Sequence, residues 1–437
     1  PKDEAALLLE VAPHLDAFIG VLFGVSEQLA DLRRRHEVLE PLYKVKWKFV
    51  KRQAMLKVSP DDLADFDGPA AERELAELTG STSFDELRFA QAVLQWQEQG
   101  EAAARELDLA LRFSAWATLT DPGRERHATG ILFRQPGKVD PWALLTHAHH
   151  ATEAAVTVHT IDPAHIRRRK GFALTDAGTD LRGALDQANY CIGCHNQGKD
   201  SCSRGLRDKP AADGSVAYKR TVFGVKLAGC PLEERISEFQ ILKTQGHSIG
   251  ALAMITIDNP MAAATGHRIC NDCMKACIYQ KQTPVDIPQA ETRSLKDVLE
   301  LRWGFEIYSL LTRWNPLNLA RPLPRESTGH KVLVVGMGPA GFTLAHHLMN
   351  DGHTVVGIDG LKIEPLPAEV AGVRHDSSIP GERVPFAPIE QVETLWESLD
   401  DRLMAGFGGV AEYGITVRWD KNFLKVIRLL LERREHF

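Results

Sequence analysis

Apolar positions recur at helical spacing through the first third of the chain. From Glu4 to about Lys57 they fall one helical turn apart, with Leu7, Leu8, Val11, Leu15, Phe18 and Leu22 as the first stripe. Pro13 predicts a break in the opening turns. A second helical stretch follows Ser83, where Ser83-Phe-Asp-Glu86 has the spacing of a capping box. A third runs from about Ala102 to Leu119 and stops near Asp121-Pro-Gly. Residues 1–185 thus read as an all-α N-terminal region of no assigned role. Residues 186–312 show short helices and little strand signal. Residues 313–330 carry three prolines and read as a linker. From Lys331 the pattern changes to strand, glycine turn, helix and strand, so residues 331–437 read as α/β. Ile389–Leu403 has the spacing of one more amphipathic helix.

A length of 437 residues predicts two to four domains. Hydrophobic residues at 44% and charged residues at 25% are globular values, which exclude a disordered, collagen-like or coiled-coil chain. A net charge of −6 gives no reason to expect a nucleic-acid partner. The uncharged run Ala17–Val25 is shorter than the ~20 residues of a membrane span. No basic segment near the start leads into a cleavage site. These features predict a cytoplasmic protein. His147-Ala-His-His150, with His159 and Glu153 nearby, is read as structural or surface rather than as a metal site. The basic run Arg167–Lys170 is read as a solvated face rather than an anion site.

Two constellations carry chemistry. The first begins with Lys331–Val335, an apolar run suited to a buried parallel strand. It leads into Gly336-Met-Gly-Pro-Ala-Gly341, a helical stretch, and a second strand Thr354–Ile358 ending at Asp359. Gly336 permits the tight turn, Gly338 lets backbone approach a pyrophosphate, and Gly341 lets helix and strand pack closely. Pro339 and Ala340 open the helix, whose free N–H groups and dipole favour phosphate. Asp359 is placed to accept from a ribose hydroxyl. Strand, turn, helix, strand and acid occur together, which predicts a dinucleotide site.

The second is the set of cysteines. All seven lie between Cys191 and Cys277: Cys191, Cys194, Cys202, Cys230, Cys270, Cys273 and Cys277. An odd number confined to one window argues against a disulfide framework and for thiolate-ligated metal. Thiolates select zinc or iron–sulfur clusters. Zinc would use four and strand three. Two [4Fe–4S] clusters need eight ligands, one of them not cysteine. The iron–sulfur reading is favoured and a zinc scaffold stays open.

The words Cys191-Ile-Gly-Cys194, Gly229-Cys-Pro-Leu232, Ile236-Ser-Glu-Phe239, Asp258-Asn-Pro260, Gly266-His-Arg-Ile-Cys270 and Val285-Asp-Ile287, followed by the glycine fingerprint, resemble the glutamate synthase small (beta) subunit family. The N-terminal part of dihydropyrimidine dehydrogenase is similar. The resemblance covers about residues 186–437. It implies a helical domain with two [4Fe–4S] clusters, then a Rossmann-like FAD-binding domain. One cluster would take Cys191, Cys194, Cys202 and Cys277, the other Cys230, Cys270 and Cys273. The eighth ligand would be Glu291, four residues after Ile287. Gly408 and Gly409, opening Gly408-Gly-Val-Ala-Glu-Tyr-Gly-Ile415, resemble a segment that lies against the flavin. Arg418 and Lys421 match basic positions, and Phe423–Glu432 the helix that follows. This sequence departs from the family in the long insert Ser203–Gly229, in the shortened last cysteine group, in Thr416 where the family has Pro, and in the long gap between Asp359 and Gly408. The insert holds Arg204, Arg207, Lys209, Lys219 and Arg220, a basic lip over a cluster or a partner contact.

The fold expected is therefore multidomain: an all-α N-terminal region, an α-helical iron–sulfur domain (186–312), and an α/β Rossmann-like FAD domain (331–437) incomplete at its C-terminus. In the family, electrons pass from NAD(P)H through FAD and the clusters to a partner acceptor, with the NAD(P)H site outside the matching residues. The acceptor expected is a synthase-like large subunit, another flavoenzyme or a ferredoxin. No catalytic acid, base or nucleophile is assigned. The alternative is a docking or assembly module stabilised by its metal clusters and lacking a complete flavin site.

Overall fold

The computed structural model describes residues 2–142, 148–153, 156–161, 166, 178–210, 213–265, 270–360, 363–374, 378–379, 381–398 and 421–437. Helices of eight residues or more are numbered in chain order. The first region holds α1 (Lys2–Leu22), α2 (Ser26–Val45), a π-helix (Lys46–Ala54), α3 (Gly68–Leu78), α4 (Glu86–Gln99) and α5 (Ala104–Leu119). It is helical as the pattern predicts, with three differences. Pro13 lies inside an unbroken α1. The cap of α4 is Asp85, whose carboxylate accepts from Arg88 N, not Ser83. Glu86 instead reaches across to the backbone N–H of Ile131 and Leu132. The buried stripe of α1 runs through Ala5, Leu8, Ala12, Leu15 and Ile19, while Leu7, Phe18 and Leu22 are exposed.

A hairpin, β1 (Ala148–Glu153) with β2 (Val156–Ile161), sets His150 opposite His159 in register. His147 and Arg167–Lys170 lie outside the described residues.

The cysteine segment is built on α6 (Leu181–Tyr190), α7 (Ile236–Thr244), α8 (Ser248–Asp258), α9 (Ile287–Leu299) and α10 (Gly304–Leu311). Residues 249 and 251–255 on α8 are fully buried, and this helix is the axis of the segment. Next come β3 (Lys331–Val335), α11 (Pro339–Asn350) and β4 (Thr354–Ile358). β3 and β4 pair in parallel, Lys331 opposite Thr354 through Val335 opposite Ile358. The described residues show this as a two-stranded sheet, with Leu333, Val335, Val356 and Ile358 exposed on it. The last helix is α12 (Lys421–Glu432), close to the span expected. Of Ile389–Leu403, the described part forms only a 3-10 turn at Val392–Leu395, and 399–403 lie outside the described residues.

Two apolar cores result. One gathers residues from Leu42 to Phe133 with Leu185, around the rings of Phe89, Phe113 and Phe133. The other joins Leu8–Leu32 to the cysteine segment, β3, β4, α11 and α12. The cores therefore do not divide at residue 185, because α1 packs on α8. Asp16 accepts from Ile249 N and Gly250 N at 2.8 and 3.0 Å, which satisfies the free N–H groups at the start of α8. α1 is, by length and composition, apolar enough to cross a membrane. Its Leu8 face and Asp16 are nevertheless spent on this core.

Candidate metal centres and dinucleotide turn

Four of the cysteines line one small hollow. α6 ends at Tyr190, and Cys191 leaves it in extended backbone. Gly193, at φ +63°, turns the chain so that Cys194 begins a 3-10 turn. Cys202 lies on the short helix Ser201–Arg204, and Cys277 follows the helix Asp272–Ala276. Cys191, Cys194, Cys202 and Cys277 line the hollow together with the buried Ile236, Val285 and Ile287, and the exposed Ile192 and Ile278 lie at its rim. These are the four grouped by resemblance. Burial pushes Cys191 up to about 12, against a hydrogen bond from Gly193 N–H. Cys202 is pushed well above its ordinary value by burial and then by the Asp200 charge. Cys277 is also raised by burial, and the N–H groups of Tyr279 and Val285 point at its sulfur. Four thiols, three of them buried and Cys191 partly so, cannot all ionise in largely apolar surroundings without a cationic group between them. An iron cluster is such a group, and backbone N–H bonds to sulfur are how proteins tune one.

Beside this hollow three rings stack. Tyr190 lies 4.5 Å from Tyr279 and 5.3 Å from Trp47, centroid to centroid, with each pair within 7° of parallel. Trp47 sits on the π-helix, the sort of helical irregularity that recurs at functional sites.

The second set is a meeting of thiols and acids. Cys273 is pushed well up by burial, then by the charges of Glu234, Glu291, Cys230 and Cys270. Cys230 is raised to about 11 by burial and then by Glu234, while N–H groups of Glu234 and Leu232 bond its sulfur. Cys270 is exposed. Glu291 is buried on α9, and its Oε1 accepts from Asn259 Nδ2 at 2.6 Å; Asn259 Oδ1 in turn accepts from Thr265 Oγ1 at 2.6 Å. Burial raises Glu291 to about 7, against the Asn259 bond. Glu234 is pushed well above the usual carboxylate range by burial and by Glu291. Sequence reasoning missed Glu234. The signal available was its place four residues after Cys230. The decisive feature is the positive φ of Glu233, +51°, which folds the loop back so that Glu233 stays out and Glu234 goes in.

Among the described residues, no three His, Cys, Asp or Glu side chains converge on a point where they could hold one metal ion.

The glycine turn follows the predicted logic. Gly336 has φ +94° and donates to Ile358 O at 2.7 Å. A Cβ on Gly341 would stand 1.8 Å from Gly336 O, so helix and turn touch there. Nothing lies within 4 Å of a Cβ on Gly336 or Gly338, which leaves the cradle at the start of α11 open. Pro339 and Ala340 form the first turn of α11. Asp359 Oδ2 accepts from Met337 N at 2.8 Å and so braces the turn. Gly408 and Gly409 lie outside the described residues, as do Arg418 and 266–269.

No family model matches the chain. It is 30% identical over 260 residues to the uncharacterized protein RP005 of Rickettsia prowazekii, covering 56% of this chain and 82% of that one. The chain belongs to the RP005 family. It is also 52% identical over 177 residues to the uncharacterized protein RP006 of the same organism, 40% of this chain and 23% of that one. The glutamate synthase [NADPH] small chain of Mycobacterium tuberculosis is 33% identical over 128 residues, 29% of this chain and 23% of that one. This member of the RP005 family thus spans about a quarter of the length of RP006 and of the synthase small chain. Its likeness to glutamate synthase is real and partial.

Proposed function

We propose that the chain is the electron-transfer portion of a flavin and iron–sulfur oxidoreductase. The observation that carries this reading is the hollow shared by Cys191, Cys194, Cys202 and Cys277, to which the distant Cys277 is brought by the fold and which is lined largely by aliphatic side chains. The other set, Cys230, Cys270 and Cys273, has a carboxylate of Glu291 or its neighbour Glu234 for a fourth ligand. When bound, [4Fe–4S] clusters supply one-electron exchange and FAD converts the two electrons of NAD(P)H into single ones. The residues' tasks are then plain. The thiols would hold iron, the N–H groups of Gly193, Tyr279 and Val285 would stabilise negative sulfur, and the buried Ile236 and Ile287 would keep the inner side apolar. The turn at Gly336 and Gly338 offers backbone to a pyrophosphate, and Asp359 holds that turn in shape. The similarity to the synthase small chain over 128 residues supports the same class of chemistry.

The test is iron, acid-labile sulfide, zinc and FAD per chain on anaerobically purified protein. About eight irons and eight sulfides, four of each per cluster, are expected. Zinc without sulfide would refute the proposal. Iron without FAD, even after FAD is added, would favour the docking module. Glu291→Ala should alter the EPR spectrum of the reduced second cluster, and an unchanged spectrum would remove Glu291 from the ligand set.

A further inference from the structure

Between Cys202 and Cys230 the chain leaves the cysteine core and returns as a tongue, described at residues 205–210 and 213–229. Leu206 N donates to Leu227 O, Lys219 N to Leu206 O, and Thr221 N to Val225 O, each at 2.8–2.9 Å. Isolated bridges pair Arg207 with Tyr218 and Arg220 with Lys226. The base is clamped onto the metal-centre loops. Cys230 N donates to Cys202 O at 2.8 Å. Gly205 and Gly229, at φ +82° and +85°, cross so closely that a Cβ on Gly229 would stand 2.5 Å from Gly205 N. The tongue is thus fixed in direction with respect to one cysteine of each set.

Its outer surface joins two properties. Val222, Phe223 and Val225 are exposed, and Phe223 meets the exposed ring of Trp142 edge-on at 4.9 Å. Exposed apolar side chains scattered singly are ordinary, whereas a group rimmed by charge marks a contact surface. The rim is Arg207, Lys209, Lys219, Arg220 and Lys226, all exposed, against Asp208 and Asp213. None of the five basic side chains makes an ion pair with another described residue, whereas the adjacent Arg204 pairs with Glu233. The tongue carries +3 in a chain of −6, leaving −9 on the rest. That net negative charge on the rest of the chain opposes an extended polyanion such as nucleic acid or an anionic bilayer. It opposes far less a compact acidic protein that meets the tongue alone.

We propose that this tongue, with Trp142, docks a small acidic electron-carrier protein. The proposal rests on the electron-relay reading and names its partner class. One electron passes from the chain to the carrier's own redox centre, with no bond made or broken. Opposed charge steers and registers the encounter, and the Phe223–Trp142 patch excludes water at its middle.

The test titrates the full iron-loaded chain with a plant-type [2Fe–2S] ferredoxin, a strongly acidic probe, at stepped ionic strength. Basic cytochrome c, phosphatidylserine vesicles and duplex DNA are run in parallel. Ferredoxin should bind, and more weakly as salt rises. Lys219→Glu/Arg220→Glu/Lys226→Glu should weaken it about tenfold or more, with iron and sulfide content unchanged. Phe223→Ser should weaken binding while leaving the salt slope in place. An iron-loaded chain that ignores ferredoxin, a charge-reversed variant that binds it as well as wild type, or preference for vesicles or DNA would each overturn the docking proposal. Ferredoxin binding by a chain that holds zinc and no sulfide would support the docking site and refute the relay.

Discussion

Removing Asp297 should destabilise the protein more than removing its partner Lys243. The pair joins α9 to α7, and both side chains are fully buried. Asp297 also accepts from Arg293 Nε at 2.6 Å. Burial alone would raise its carboxyl, but the Lys243 ammonium and the Arg293 guanidinium outweigh this and leave it lowered. Burial lowers Lys243, and Asp297 offsets part of that effect. Asp297→Asn keeps the shape and strands an ammonium in the core. Breaking a buried pair in this way costs about 3–5 kcal/mol. Lys243→Met strands less, because the carboxylate keeps Arg293, so about 1–3 kcal/mol is expected. The double variant Lys243→Met/Asp297→Leu should recover most of the loss, since an apolar pair avoids desolvating two charges. Urea denaturation of the four proteins at neutral pH, with iron content read in parallel, ranks them. α9 carries Glu291 six residues before Asp297, so iron retention at the second set should fall along with stability. If Asp297→Asn costs no more than Lys243→Met, Arg293 does not compensate the buried carboxylate and the ranking of the two charges is wrong.

Three further outcomes are expected. His36 is buried and held down to about 4, by burial and then by Lys243, with Asp297 and Arg293 also facing it. An unfolded histidine keeps a value near ~6.5, so the unfolded chain binds more protons between the two, and stability present above pH ~6.5 drains away towards pH 4 by up to about 3 kcal/mol; urea midpoints for His36→Gln that keep the full acid slope would contradict this. Glu86→Ala should cost about 3 kcal/mol, because it strands the N–H groups of Ile131 and Leu132 and frees Arg182, yet should leave iron content unchanged, as Glu86 serves the other core; a loss below about 1 kcal/mol, or lost iron, would count against it. Gly338→Val fits without local collision and should abolish FAD retention with little change in stability, so a variant that still holds FAD would dismiss the turn as a pyrophosphate site.

What is legible in the sequence is short-range. The spacing of Lys331–Val335, Gly336, Gly338, Gly341 and Thr354–Ile358 reports local backbone needs, and the parallel pair and tight turn form, but the strand expected to be buried leaves Leu333 and Val335 exposed because burial depends on what packs over it. The clustering of cysteines is legible as well, and Cys191, Cys194, Cys202 and Cys277 line one hollow. Long-range choices are not legible. The pattern does not single out the buried face of α1, because Leu7, Phe18 and Leu22 are as apolar as Leu8 and Leu15, and only contact with α8 selects between them. Ser83 has the spacing of a cap, but Asp85 takes the role because Glu86 is drawn to the 131–132 backbone. Glu234 is invisible because its inward course depends on the unusual φ of a neighbour with no glycine to betray it.

That same loop ties the N-terminal helix to the centre. Arg235, next after Glu234, bonds Asp258 at the end of α8 with Nη1 at 2.7 and 2.9 Å, and reaches Glu4 on α1 with Nη2 at 2.8 Å. Asp16 holds the other end of α8. The first helix therefore contacts α8 at both termini, and α8 is followed directly by Asn259, the residue that fixes Glu291. A chain of packed, hydrogen-bonded groups runs from residue 4 to the carboxylates beside Cys230 and Cys273. The first helix is thus tied through α8 and Arg235 to the carboxylates beside the second set of cysteines.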